Sequence, residues 1–206
     1  MQSTLIKKLS IQVNNSLPGK IAQNKMLVKP KYKQLVEKKK NATPAAVLIL
    51  LYPNYKEWCF FLTKRTNKVE HHKGQISLPG GVIEKNESSQ DAAIRETYEE
   101  IGIPINQIKI IGALTPYHVP TSHFEIYPYI GWIKEKPKTK IHELEVDRLL
   151  SISIHDLVLE KNYKIKQDFF SKYPIQIPYF QLSGEIVWGA TSVILSEFRF
   201  ILKKIL

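Results

Sequence analysis

Six of the nineteen carboxylates of this chain fall within seventeen positions, from Glu84 to Glu100, although lysine and arginine outnumber the acids by thirty to nineteen overall. Segregation of that kind restricts where the segment can sit. Ser88 or Ser89 is a candidate cap, Asp91 falls in the first turn and Gly102 supplies a stop, which predicts a helix over Ser88 to Ile101. At roughly 100° per residue, Glu96, Glu99 and Glu100 share an arc of about 100°. Ile94, Tyr98 and Ile101 lie opposite and are expected to anchor the helix, leaving an open acidic face. Like charges four residues apart, such as Glu96 and Glu100, cost a few tenths of a kcal/mol, about the strength of one surface pair, unless a cation lies between them. A hard divalent ion that takes carboxylate oxygens, waters and phosphates meets that need, and a solvated acidic helix is the plainer alternative. Gly80 and Gly81 precede the acids and let backbone carbonyls approach a cation. Arg95 stands among the glutamates; if the loop folds back, Glu87 reaches it as a structural ion pair.

The rest of the chain predicts the frame around this segment. With 206 residues, 43% hydrophobic and 24% charged, it fits one globular domain or a domain with a small appendage. The first forty residues read as a helical arm, with a short helical pattern around Leu5 to Leu17 and then a lysine-rich stretch. "PAAVLILLY" and "EWCFFLTKR" read as a strand hairpin turning at Asn54, and Thr66 to Gly81 as a loop ending in a short strand and turn. "IKIIGALTPY", "FEIYPYIGWI" and "LLSISI" are further strands, and "GATSVILSEFRFILKKIL" a closing amphipathic helix, so an α+β or α/β layered domain is expected.

Several classes are disfavoured. The apolar run Ala45 to Tyr52 is too short to cross a bilayer, and the N-terminal residues lack the pattern of a secretion signal, so a cytoplasmic protein without a membrane partner is expected. Cys59 alone cannot close an internal disulfide, and no Cys/His set has zinc spacing. The net charge of +11 favours anionic partners. It is spread over separate lysine clusters without an aromatic-basic recognition motif, so phosphates and nucleotides are favoured over nucleic acid.

Read as one string, "GVIEKNESSQDAAIRETYEEIGI" from Gly81 to Ile103 resembles the box of the Nudix hydrolases: Gly, five residues, Glu, seven residues, Arg-Glu, two residues, Glu-Glu, one residue, Gly and an aliphatic. Thr97 departs from it, standing where the box usually has an aliphatic residue. Upstream, "FLTKRTNKVEHHKGQISLPGG" resembles the motif of the coenzyme A diphosphatase branch at Leu62, Thr63, Arg65, His72, Gly74, Gln75, Pro79, Gly80 and Gly81. Leu78 departs where the branch often has Phe, as does Glu70 where a basic residue is common. The resemblance implies an αβα sandwich around a mixed β-sheet with the box as loop, helix and loop, occupying residues 41–206 behind an arm of residues 1–40.

It also implies a Mg²⁺ or Mn²⁺ site at Glu96, Glu99, Glu100 and the Gly81 carbonyl, and hydrolysis of coenzyme A or acyl-coenzyme A to 3′,5′-ADP and the 4′-phosphopantetheine. A diphosphate resists nucleophiles through its own charge, so catalysis requires neutralisation and an in-line activated water. The base is expected to be Glu96 or a carboxylate beyond the box, Glu145 foremost. Lys64, Arg65, His72 and Gln75 are the expected substrate contacts, Lys64 and Arg65 for the 3′-phosphate, and the chain is expected to act as a monomer or homodimer. The alternatives are hydrolysis of another nucleoside diphosphate derivative (ADP-ribose, a dinucleotide or a nucleoside triphosphate) and a nucleotide-binding module without turnover.

Overall fold

The computed structural model describes residues 4–30, 42–66, 74–170 and 172–206. In chain order its elements are α1 (Thr4–Asn15), α2 (Lys20–Gln23), β1 (Thr43–Asn54), β2 (Glu57–Arg65), β3 (Ile76–Ser77), β4 (Gly80–Val82), α3 (Ser89–Ile101) and β5 (Lys109–Ala113). There follow β6 (Tyr117–Val119), β7 (Phe124–Trp132), β8 (Val146–Ser153), α4 (Ile154–Val158), β9 (Tyr163–Phe170), β10 (Tyr173–Leu182), β11 (Glu185–Val187) and α5 (Gly189–Ile205).

The branched apolar run of β1 is continuous because both of its faces are covered. Leu48, Leu50 and Tyr52 enter one core and Ile49 and Leu51 the other. β1 pairs with β2 antiparallel and with β7 parallel, which makes the sheet mixed. β3 and β8 pair with β2, β5 and β6 with β7, and β4 with the beginning of β1.

On one side Ile6, Leu9 and Val13 of α1 meet Phe60 and Leu62 of β2 and Phe198, Ile201 and Leu202 of α5. On the other side Ala92, Ala93 and Ile101 of α3 meet Leu48, Leu50 and Phe61. The result is a mixed α+β fold with helices on both faces of a mixed sheet. The described part of the N-terminal arm, residues 4–30, thus contributes to the same core as α5. Residues 31–40 of that arm lie outside the described residues.

Two features differ from the sequence expectation. β9, β10 and β11 form a separate three-stranded antiparallel sheet between β8 and α5. Their pattern concealed it: Ile165, Phe169 and Phe170 of β9 remain exposed and β10 carries Pro174 and Pro178, so neither clean alternation nor an unbroken apolar run marks the strands. The second concerns the face that α3 buries. Tyr98 is 50% exposed, whereas Thr97 and Glu100 are buried with Ala92, Ala93 and Ile101. Two alanines let the helix lie close to the sheet, and Thr97 is accommodated by donating its hydroxyl to the Ala93 carbonyl at 2.7 Å. Glu100 therefore lies on the buried side of the helix and not on the expected open face.

Candidate active site

Helix α3 begins where its sequence requires. The Ser88 hydroxyl accepts from the Asp91 N–H at 3.1 Å and donates to the Asp91 carboxylate at 2.6 Å, closing the N-terminal turn. It ends at Gly102, whose φ of +73° is costly for a residue with a side chain, with its N–H on the Tyr98 carbonyl at 2.8 Å. A loop then docks on this end, the Lys140 N–H on the Ile101 carbonyl at 3.0 Å and the His142 N–H on the Glu100 carbonyl at 2.9 Å.

The glutamates occupy three environments. Glu99 is solvent-facing, its side chain 51% exposed, and Glu96 is largely covered. Glu100 is only 3% exposed. A Cβ at Gly81 would lie 2.5 Å from the Glu96 carboxyl, so the bare backbone of β4 is what lets that carboxylate lie against the strand. The Gly80 N–H donates to the Glu100 carboxylate, while Glu100 Oε2 is buried without a hydrogen-bond partner.

Burial pushes the Glu100 carboxyl up to about 8; the Arg65 guanidinium draws it down, and the Glu96 and Glu145 carboxylates push it further up. Glu96 is raised as well, first by burial, against the lowering influence of its hydrogen bond from Arg95. Desolvated acids crowded in this way are those that a cation relieves.

Arg95 binds the acidic groups together. Its Nε donates to Glu87 Oε1 at 2.8 Å and its Nη2 to Glu87 Oε2 at 3.0 Å, a two-pronged contact that holds the Glu87 carboxyl below the usual carboxylate range. Nη2 also donates to the Val82 carbonyl at 3.1 Å. Nη1 donates to Glu96 Oε1 at 2.8 Å and to Glu99 Oε2 at 2.9 Å. Among the described residues, no three His, Cys, Asp or Glu side chains are grouped closely enough, as they lie, to hold an ion. The carboxylates of Glu96 and Glu99 are spaced by this one nitrogen.

Of the other residues singled out in the sequence, Arg65 and Glu145 join the cluster. Arg65 belongs to the end of β2, with its Nε buried and without a hydrogen-bond partner, and its backbone N–H meets the Gln75 carbonyl at 3.0 Å. Gln75 therefore flanks Arg65. Glu145 is half-exposed, 3.3 Å from His142 Nδ1.

Lys64 points elsewhere, because neighbours along a strand face opposite sides. Its Nζ lies 3.0 Å from Glu185 of β11, a carboxylate that Arg148 also contacts. His72 lies outside the described residues. Sequence reasoning missed the role of Thr66, which donates through its N–H to the Glu145 carbonyl at 2.9 Å and through its hydroxyl to the Leu144 carbonyl at 3.0 Å, fixing the Glu145 loop beside β2. No local pattern signals a contact between residues so far apart in the chain.

The donor set suits a hard divalent cation. It is all oxygen, one carboxylate oxygen is buried without a partner, and the bare β4 backbone at Gly81 lets the Glu96 carboxylate lie against the strand.

Comparison with known proteins agrees with this architecture. The NUDIX domain model matches residues 42–173, more than half of the chain. A Nudix hydrolase named NudL from Enterobacter sp. (strain 638) is 31% identical over 167 residues, covering 76% of this chain and 81% of that protein. The crystal structure of RenU, a Nudix hydrolase from M. smegmatis, superposes with a TM-score of 0.53 at 15% identity, over 79% of this chain and 87% of that one. A MutT/nudix family protein from Enterococcus faecalis does so with a TM-score of 0.51 at 18% identity, over 98% and 76%. The chain belongs to the Nudix hydrolase family, whose members act on nucleoside diphosphate derivatives and generally use divalent metal ions.

Proposed function

We propose that this Nudix hydrolase cleaves the diphosphate bond of coenzyme A or acyl-coenzyme A, releasing 3′,5′-ADP and the 4′-phosphopantetheine. The observation that carries the site is the buried Glu100 carboxylate with its unpartnered Oε2, beside Glu96 and against the bare backbone of β4. Glu96, Glu99, Glu100 and the Gly81 carbonyl hold Mg²⁺ or Mn²⁺, which supplies charge neutralisation and Lewis-acid polarisation of the diphosphate.

Glu145 takes the proton from the attacking water. Its carboxylate reaches solvent next to the buried pair, whereas Glu96 is taken up as a metal ligand in this reading. Arg65 and Gln75, with His72, contact the substrate phosphates. Arg65 is the better placed of the two basic residues of β2, because Lys64 is engaged by Glu185. Glu87 and Arg95 are structural in this reading, fixing the loop before α3. The coenzyme A substrate is supported by the run from Leu62 to Gly81, since the box from Gly81 to Ile103 is shared by Nudix hydrolases of many substrates.

The test is a substrate panel with Mg²⁺ or Mn²⁺, its products separated by chromatography. Formation of 3′,5′-ADP from coenzyme A, with dephospho-coenzyme A and ADP-ribose cleaved slowly or not at all, is the expected result. Preferential cleavage of ADP-ribose, a dinucleotide or a nucleoside triphosphate would assign the site to another nucleoside diphosphate derivative. Metal-dependent nucleotide binding with no product would make it a binding module.

A further inference from the structure

Arg95 is asked to do more than pair with Glu87. Two parallel bonds to one carboxylate already satisfy the edge of its guanidinium formed by Nε and Nη2, and the Val82 carbonyl takes a further Nη2 proton. The remaining nitrogen, Nη1, is placed against two different carboxylates, Glu96 at 2.8 Å and Glu99 at 2.9 Å. Arg95 Nη1 is thus the cationic group that lies between these two glutamates. Without a positive group between them they would repel and separate, the more so because Glu96 is largely withdrawn from water.

We propose that Arg95 is an exchangeable counter-ion: its Nη1 holds Glu96 and Glu99 together in the ion-free protein and surrenders both carboxylates when a divalent cation binds, while the Nε and Nη2 edge stays on Glu87. The proposal rests on the assignment of a metal to these glutamates and adds the way in which they are loaded. The planar fork of arginine suits the task, since one edge can remain anchored as the other lets go; a lysine ammonium has no second edge to anchor. Binding is then a substitution of one cation for another at preassembled carboxylates. Glu100, to which Arg95 makes no hydrogen bond, feels the Arg65 guanidinium only through space, and its Oε2 is left without a hydrogen-bond partner.

The experiment is ¹⁵N NMR of arginine side chains on the full wild-type chain during a Mg²⁺ titration, with the Arg95 resonances identified by their loss in Arg95→Lys. Calorimetry on the same sample reports metal binding independently, and neither readout needs turnover. The expected result is that the Arg95 Nη1 protons, slowed in exchange by their two carboxylates, lose that protection with the midpoint of metal binding, while Nε–H keeps its shift and protection. Metal binding with an unchanged Nη1 signal would overturn the exchange and leave the metal assignment standing. Absence of any binding heat, with no change at Arg95, would overturn the metal assignment itself and the exchange with it.

Discussion

Glu100 joins burial to chemistry more tightly than any other residue of the site. Its carboxyl is pushed up to about 8 by desolvation, while in the unfolded chain it titrates near the ordinary glutamate value of about 4.3. Between those two values the folded protein binds more protons at this position than the unfolded chain. Without divalent ions, stability therefore falls as pH rises across that window, and the contribution is fully present only below it. Glu100→Gln imitates the protonated acid and cannot titrate. Thermal unfolding of that variant in chelator should show a flatter dependence on pH between about 5 and 8 than the wild type. The same variant should lose roughly two or more orders of magnitude in kcat with an unchanged circular dichroism spectrum, because an amide cannot supply the charge that holds the cation. Near-normal turnover would remove Glu100 from the machinery.

At the scale of elements, the site is the contact between a helix and a strand that has almost no side chains. β4 lies so close to β1 that a Cβ at Gly80 would fall 2.2 Å from the Ala46 carbonyl oxygen and 2.6 Å from Val47 Cα, both backbone atoms that cannot swing aside. Its φ of +152° is unfavourable for other residues as well. Gly80→Ala should cost about 3 kcal/mol or more in urea denaturation, and the fraction that folds should turn over slowly, because displacing β4 withdraws the Gly80 N–H from Glu100. A stability within about 0.5 kcal/mol of wild type would show that β4 can shift without consequence.

The whole molecule depends on a second buried carboxylate, far from the first in role. Glu197 of α5 is fully buried and accepts from the Gly19 N–H at 3.1 Å, Gln23 Nε2 at 3.1 Å, the Thr115 N–H at 3.3 Å and the Thr115 hydroxyl at 2.7 Å. It thereby clasps the segment between α1 and α2, the turn between β5 and β6, and the closing helix. Glu197→Ala strands those donors in the core and should destabilise by on the order of 3 kcal/mol, and Glu197→Gln by less, read as a lower urea midpoint at unchanged slope. Little of this clasp could be read from the chain, since a lone Glu within an amphipathic helix gives no sign of partners in two distant segments. What the sequence by itself determined is local or periodic. A helix start at Ser88 or Ser89, the stop at Gly102, the strand β1 with its turn at Asn54 and the spacing of Glu96, Glu99 and Glu100 follow from residue type and helical or strand geometry alone. Tertiary structure decided which helix face turned inward, that Lys64 pairs with Glu185 while Arg65 joins the glutamates, and that β9 to β11 form a second sheet. Each of those outcomes depends on which surfaces meet across the fold, and a burial cost or an ion pair set by a distant neighbour leaves no mark on local pattern.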